Sequence, residues 1–264
     1  MKQFIASQIT AGYGKQSVIN NISFSVDAGS LTGILGANGS GKTTLLKSLC
    51  GILPHTGNCR IDEIELEELS PRRLAQLCSY IPQRSGISID ISVLDVVLMG
   101  FNPHLGLLEH PTPAMKAAAC EALSRVGLAH KEHTNYLHLS EGQKQLCILA
   151  RTFVTDSPLL LLDEPESALD FRFRHKMLSL LQDYVSGQNR AALVTLHDPT
   201  LALNYCDRLL LLAEGSVLGV LNPKTDALDR MEQLLRDIYG SISLQRCVNR
   251  SGQTYLMMIK EDDE

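Results

Sequence analysis

The run Gly36-Ala37-Asn38-Gly39-Ser40-Gly41-Lys42-Thr43 carries the strongest chemical signal in the chain. It matches the spacing G-x-x-x-x-G-K-[ST] and lies between a short apolar run, Leu31–Leu35, and a helical pattern starting at Lys42. Glycines at these places let successive backbone N–H groups turn inward around phosphate oxygens, and the helix N-terminus adds its partial positive charge. Lys42 can reach the β- and γ-phosphates and the Thr43 hydroxyl can ligate Mg²⁺, with Thr44 completing the nucleotide-binding run. Much later, Leu159-Leu160-Leu161-Leu162-Asp163-Glu164 forms an apolar strand that delivers two acids at its carboxyl end. Asp163 is expected to hold Mg²⁺ through water, and Glu164 to polarise an attacking water. Together the two motifs describe chemistry on a Mg²⁺-bound nucleoside triphosphate such as ATP.

A parallel α/β core is needed to bring these motifs together, and the chain has its rhythm. Strands are expected at Ile22–Val26, Leu31–Leu35, Leu159–Leu162, Ala191–Leu196 and Arg208–Ala213. Glu214-Gly215 turns the last of these into a hairpin strand, Val217–Leu221. Helices are expected over Lys42–Cys50, with Gly51 as the stop, and from Ser70-Pro71 to about Cys78. Two more follow near 170–185 and 199–206. Residues of about 88–155 read as a helical insertion, with helix starts at Ser92 and at Ser140, the latter followed by Gln143 in a capping-box pattern. The tail, 241–264, reads as two strands around Ser251-Gly252 and an acidic end, Glu261-Asp262-Asp263-Glu264.

The 264 residues are 44% apolar and 20% charged, which excludes disordered, collagen-like and disulfide-scaffold classes. A net charge of −5 argues against a broad nucleic-acid surface. No apolar run approaches the roughly 20 residues that a membrane helix requires, and no signal peptide is visible, so a cytosolic chain is expected. The seven cysteines are an odd number without a C-x-x-C pair, so free thiols are expected and no metal-ligand spacing is read.

Beyond the phosphate loop, further motifs resemble the nucleotide-binding subunit of ATP-binding-cassette (ABC) transporters over residues 3–240. Leu139-Ser140-Glu141-Gly142-Gln143 resembles the family's signature sequence, and Gln83, after Ile81-Pro82, its glutamine loop. Ser167-Ala168-Leu169-Asp170 resembles the loop that crosses the dimer interface, His197 the switch histidine, and Tyr13 the aromatic that stacks on adenine. The resemblance implies a P-loop α/β fold, with an N-terminal antiparallel β subdomain and an inserted helical subdomain at about 88–155. It also implies ATP and Mg²⁺ as cofactors, with Thr43, Gln83 and Asp163 about the metal. Glu164, His197 and Gln83 take the catalytic roles. Ser140, Glu141, Gly142 and Gln143 act on the ATP of a second subunit in a head-to-tail homodimer, so ATP closes the dimer and hydrolysis opens it.

Val96 to His104, with Leu94-Asp95 before it, resembles the importer ATPases for iron–siderophore, haem and cobalamin, although Phe101 replaces an arginine beside the retained Pro103-His104. This implies multi-spanning permease subunits contacted through about residues 84–106, and an extracytoplasmic substrate-binding protein not in direct contact. It places the chain at the cytoplasmic face of the inner membrane. The alternative is a soluble ATPase of the same family acting on a protein or ribonucleoprotein assembly; the single cassette and the acidic balance disfavour it. A small-molecule kinase would leave the signature and His197 unexplained. Four positions depart from the family pattern. Glu141 replaces a glycine, Lys144 and Leu146 replace arginines, and Glu166 stands where threonine is common. Glu141 is expected to leave the signature working because Ser140 and Gly142 are intact. Lys144 and Leu146 are expected to alter surface charge, and Glu166 to perturb the turn into Ser167 without touching the hydrolytic centre directly.

Overall fold

Leu159–Leu162 shows how the sequence builds the core. On a strand, neighbouring side chains point to opposite faces, and here Leu160 and Leu162 enter one apolar cluster while Leu159 and Leu161 enter another. Such uninterrupted apolar runs mark strands covered on both sides, the usual state of parallel sheets. The computed structural model describes residues 1–262 except 84, 107, 168, 187 and 188. Its strands are β1 (Gln3–Tyr13), β2 (Gln16–Asp27), β3 (Leu31–Leu35), β4 (His55–Ile61), β5 (Ile64–Glu65), β6 (Cys78–Ile81), β7 (Leu159–Leu162), β8 (Ala191–Thr195), β9 (Arg208–Ala213), β10 (Ser216–Leu221), β11 (Ile242–Val248) and β12 (Thr254–Lys260).

The central sheet has the order β10-β9-β3-β8-β7-β6, parallel throughout except for the antiparallel edge strand β10. β9 and β10 meet through Glu214 and Gly215, both at positive φ (47° and 75°), the hairpin expected at that dipeptide. An antiparallel sheet, β2-β1-β4-β5, covers one face of the central sheet together with helix α1 (Lys42–Leu49). The other face carries helices α3 (Val93–Leu98), α4 (Pro113–Val126), α5 (Glu141–Thr155), α6 (Phe171–Ser186) and α7 (Pro199–Tyr205). Helix α2 (Pro71–Leu77), capped by Ser70, leads into β6. Helices α3 to α5 come between β6 and β7, which pair directly, so they form an insertion in one crossover. Ser92 caps α3 and Ser140 caps α5. The fold is the P-loop α/β arrangement that the resemblance implied.

The sequence reading assigns nothing to residues 222–240, where the structure forms helix α8 (Leu228–Tyr239). Met231 and Leu235 are buried, with Leu234 and Ile238 against the same cluster, so the helical period was present in the sequence. Beyond α8, β11 and β12 pair with each other, and Leu244 and Leu256 join the larger cluster. Of the acidic end, residues 263 and 264 lie outside the described residues. Among the described residues no helix is long and apolar enough to cross a membrane.

Candidate functional site

The run 36–43 joins β3 to α1 as its spacing requires. Gly36 is packed so tightly that a Cβ would stand 2.3 Å from the Leu212 carbonyl oxygen, and Gly41 caps α1 with φ 102°. Gly39 also has positive φ, at 83°. Asn38, Gly39, Gly41, Lys42, Thr43 and Thr44 line a cleft of about 160 Å³ that Glu164 enters from β7. The Lys42 side chain folds back under the loop, its Nζ donating to the Gly36 oxygen at 2.8 Å and to the Ala37 oxygen at 3.2 Å. Burial lowers its pKa, against the opposing pull of the Glu164, Asp163 and Glu166 charges. The amine is therefore held inside an acidic basin without a paired carboxylate among the described residues, available to an anion. Ser40 is buried, and its hydroxyl oxygen has no hydrogen-bond partner among the described residues.

Asp163 is buried at the carboxyl end of β7 and is held by three hydroxyls. Thr43 Oγ1 and Thr195 Oγ1 reach Oδ1 at 3.0 and 3.1 Å, and Tyr80 OH reaches Oδ2 at 3.1 Å. These are hard oxygen groups, and the Thr43 hydroxyl beside the Asp163 carboxylate suits a small divalent cation such as Mg²⁺. Burial first, and then the Asp163 charge, pushes the Tyr80 phenol well above its ordinary range, so it stays a donor. Sequence reasoning passed over both Tyr80 and Thr195. Their only signal was position: each lies at or near the carboxyl end of a strand that flanks β7.

Glu164 has φ 47°, a left-handed conformation that costs a non-glycine residue on the order of 1–3 kcal/mol. Its backbone N–H donates to Thr195 Oγ1 at 2.7 Å, which helps to hold the turn. The turn aims the carboxylate into the cleft, where Oε2 lies 2.6 Å from His197 Nε2 and accepts from Gln83 Nε2 at 2.9 Å. Gln83 also reaches Ser167 Oγ at 3.3 Å, and its own carbonyl is held by Gln145 Nε2 of α5 at 3.1 Å. Gln83, Glu164 with Ser167, and His197, from three separate stretches, thus converge on one point. Asp170 is close in sequence but turned to another task, its Oδ1 accepting the Phe173 N–H at the start of α6. Ala168, between them, lies outside the described residues.

Glu166 corrects one expectation. It is 2% exposed, and its Oε1 accepts the backbone N–H of His197 at 2.9 Å. It therefore touches the segment that carries the imidazole. Burial raises its pKa, opposed by the His197 N–H.

The structure leaves two groups of expected residues away from this cleft. Tyr13, half exposed, lines a separate open groove with Lys15, Gln16, Pro54 and His55. Ser140, Glu141, Gly142 and Gln143 open α5 outside the cleft lining. There Ser140 and Gln143 form a reciprocal capping box, Gln143 N–H to Ser140 Oγ at 3.3 Å and Ser140 N–H to Gln143 Oε1 at 3.2 Å. The Glu141 carboxylate turns to Lys144 Nζ at 2.8 Å, so two departures from the family pattern partner each other. Leu146 corrects another expectation: it is fully buried and fills the core instead of changing surface charge. Of the residues 84–106, Arg84 lies outside the described residues; His104 Nε2 is 3.0 Å from the Thr155 oxygen, and the Pro103 oxygen accepts from Arg72 and Gln76.

Residues 19–167 match the family profile described as "ABC transporter". A protein of Helicobacter pylori described as a probable iron chelatin transport ATP-binding protein is 37% identical over 76% of this chain and 80% of its own. The hemin import ATP-binding protein HmuV of Vibrio parahaemolyticus is 34% identical over 89% of this chain and 90% of its own. Among solved structures, a metal-chelate type ABC transporter in an inward-facing conformation superposes with a TM-score of 0.82 at 26% identity, over 98% of this chain and 97% of that one. With a phosphate-loop cleft, two acids at the end of β7 and matches over nearly its whole length, the chain belongs to the ABC transporter family, as one of its ATP-binding and ATP-hydrolysing cassettes.

Proposed function

We propose that this cassette powers import of a metal chelate of the iron–siderophore, haem or cobalamin type through partner membrane subunits. The observation that carries the catalytic part is the convergence on Glu164, whose Oε2 is 2.6 Å from His197 Nε2 and 2.9 Å from Gln83 Nε2 beside the phosphate loop. The import of hemin by one relative and the metal-chelate type of the superposed transporter support the cargo class. The catalytic domain runs over residues 1–240, with helices inserted at about 88–155, and 241–264 is an extension.

In this reading Tyr13 stacks on adenine, and the backbone of residues 36–44 cradles the phosphates. Lys42 exchanges its two loop carbonyls for phosphate oxygens. Thr43, Gln83 and Asp163 would hold Mg²⁺, which supplies charge neutralisation to the phosphates when bound. Glu164 orients the attacking water and takes its proton; such a base contributes on the order of 10²–10⁴ in rate. His197 meets the γ-phosphate. Ser140, Glu141, Gly142 and Gln143 contact the ATP of a second copy across a two-fold dimer, with Ser167 and Asp170 near the interface. Residues 84–106 contact the permease at the cytoplasmic face of the inner membrane. The substrate-binding protein stays on the opposite side.

The test is to purify the chain with its permease in lipid vesicles and measure ATP hydrolysis with and without each class of chelate. One chelate class should stimulate turnover, and Glu164→Gln should abolish it while ATP binding persists. Hydrolysis by Glu164→Gln at the parental rate would remove Glu164 from the mechanism. Indifference to every chelate would remove the cargo class.

A further inference from the structure

Cysteine and histidine spacing gives no metal motif in the sequence, yet the fold brings three ligand-type side chains together on the far edge of the antiparallel sheet. His55 and Cys59 are four residues apart on β4, which on a straight strand separates their Cα atoms by about 13 Å. The strand is not straight. Gly57 has φ 90°, and a Cβ there would stand 2.4 Å from the carbonyl oxygens of Ser7 and Gln8. Opposite it, the pairing register of β1 slips between Ser7 and Thr10. The kink folds His55 and Cys59 towards each other, leaving His55 Nε2 3.9 Å from Cys59 Sγ. Glu67, on the turn after β5, closes the triangle. Its Oε1 is 3.1 Å from His55 Nε2 and accepts the Cys59 backbone N–H at 2.7 Å.

The three ligand atoms all lie within 4.8 Å of one another. Around a tetrahedral zinc ion the edges would be about 3.3 Å between nitrogen and oxygen and about 3.6 Å between nitrogen and sulfur, given bonds of roughly 2.0–2.1 and 2.3 Å. The observed 3.1 and 3.9 Å lie within a few tenths of an ångström of these edges, while the oxygen–sulfur pair, within 4.8 Å, has to close by up to about 1 Å on binding. The set is also chemically selective: a thiolate and an imidazole favour a borderline-soft metal over Mg²⁺ or Ca²⁺. Cys59 is buried and the His55 side chain is only 10% exposed, while Glu67 faces a cavity of about 540 Å³. That cavity gives an ion an entry path and leaves room for water as a fourth ligand.

We propose that His55, Cys59 and Glu67 form a binding site for a borderline-soft divalent transition-metal ion of the Zn²⁺ class, outside the phosphate-loop cleft and with His55 at the edge of the Tyr13 groove. On binding, the Cys59 thiol loses its proton to solvent, the ring proton that His55 Nε2 donates to Glu67 moves through solvent to Nδ1, and the metal replaces that hydrogen bond. The ion ties β4 to the turn after β5.

Cobalt titration of the nucleotide-free chain, stripped by chelator and kept reduced, tests the site. One equivalent of Co²⁺ should produce the sulfur-to-cobalt charge-transfer band of a thiolate ligand, and Zn²⁺ should displace it. Cys59→Ala should abolish the band, whereas His55→Gln and Glu67→Gln should each weaken Co²⁺ binding at least about tenfold. Thermal unfolding of each variant in chelator checks that the fold is kept. Should Cys59→Ala not fold, the two milder variants decide, because Glu67 lies partly at the surface and its amide still accepts the Cys59 N–H. Absence of the band in the parent overturns the site. Persistence of the band in Cys59→Ala, or parental affinity in both His55→Gln and Glu67→Gln, overturns it equally.

Discussion

Replacing Glu166 by glutamine and by alanine separates the two things its buried carboxylate does. Oε1 accepts the His197 N–H at 2.9 Å, while Oε2 is buried with no partner among the described residues. Glu166→Ala strands that N–H at a cost of about 1–3 kcal/mol and also removes a buried methylene worth about 0.8 kcal/mol. The expected loss is therefore about 2–4 kcal/mol. Glu166→Gln keeps a carbonyl for the N–H and removes only the charge. Burial raises the folded-state pKa of Glu166 above its unfolded value. Between those two values the folded chain holds the extra proton, so this carboxyl's contribution to stability is full below the unfolded pKa and is lost as pH rises through the folded pKa. The glutamine cannot lose a proton. Relative to the parent, Glu166→Gln should therefore gain stability at pH 8 and lose that advantage near pH 4. Urea unfolding of parent and variants at both pH values measures this, since losses common to all three cancel. ATPase assays on the same proteins should show kcat falling in Glu166→Ala about tenfold per 1.4 kcal/mol of His197 positioning lost, with ATP affinity kept. A Glu166→Gln protein as unstable as Glu166→Ala, or an offset from the parent that does not change with pH, would refute the reasoning.

Three further outcomes are expected. Glu141→Gly should change turnover and ATP-driven dimerisation little, because Lys144 already neutralises the carboxylate. Lys144→Met, which frees that charge, should instead weaken dimerisation in low salt, with the loss shrinking as salt is added; light scattering across salt concentrations reads both. Tyr80→Phe leaves Asp163 Oδ2 without its donor, so the Mg²⁺ concentration for half-maximal ATPase should move; an unchanged Mg²⁺ curve would deny Tyr80 any part in holding Asp163. Gly142→Ala places a Cβ 2.8 Å from the Phe173 ring and should destabilise by about 1–3 kcal/mol, partly relieved by Phe173→Leu in thermal unfolding.

The catalytic motifs were legible because each is local. The phosphate loop is one strand, one turn and one helix start, and the Gly39 and Gly41 backbones fall in the left-handed region that glycine favours. The capping box at Ser140 and Gln143 is equally local, and so is the turn at Glu214-Gly215. Helix α8 was legible too and was missed, although Met231, Leu234, Leu235 and Ile238 recur at helical spacing. Glu166 was misjudged for a different reason. Two residues past Glu164, it reads as part of the turn into Ser167, and nothing nearby shows that it reaches the His197 backbone.

The sequence by itself determined the reaction type: phosphate-binding glycines before Lys42, and two acids at the end of an apolar strand, have few other uses in that order. It also determined the alternation of Leu159–Leu162 between two cores, since strand geometry leaves no other choice. Only the tertiary structure decided which side chains meet. The strand order β3-β8-β7-β6 sets Thr195 and Tyr80 on either side of Asp163, and brings Gln83 and His197 to Glu164 from stretches over a hundred residues apart. The kink at Gly57 likewise gathers His55, Cys59 and Glu67 where linear spacing keeps them apart. Local backbone preference acts within a few residues and can be read from a motif, whereas contacts between strands depend on how the whole sheet assembles.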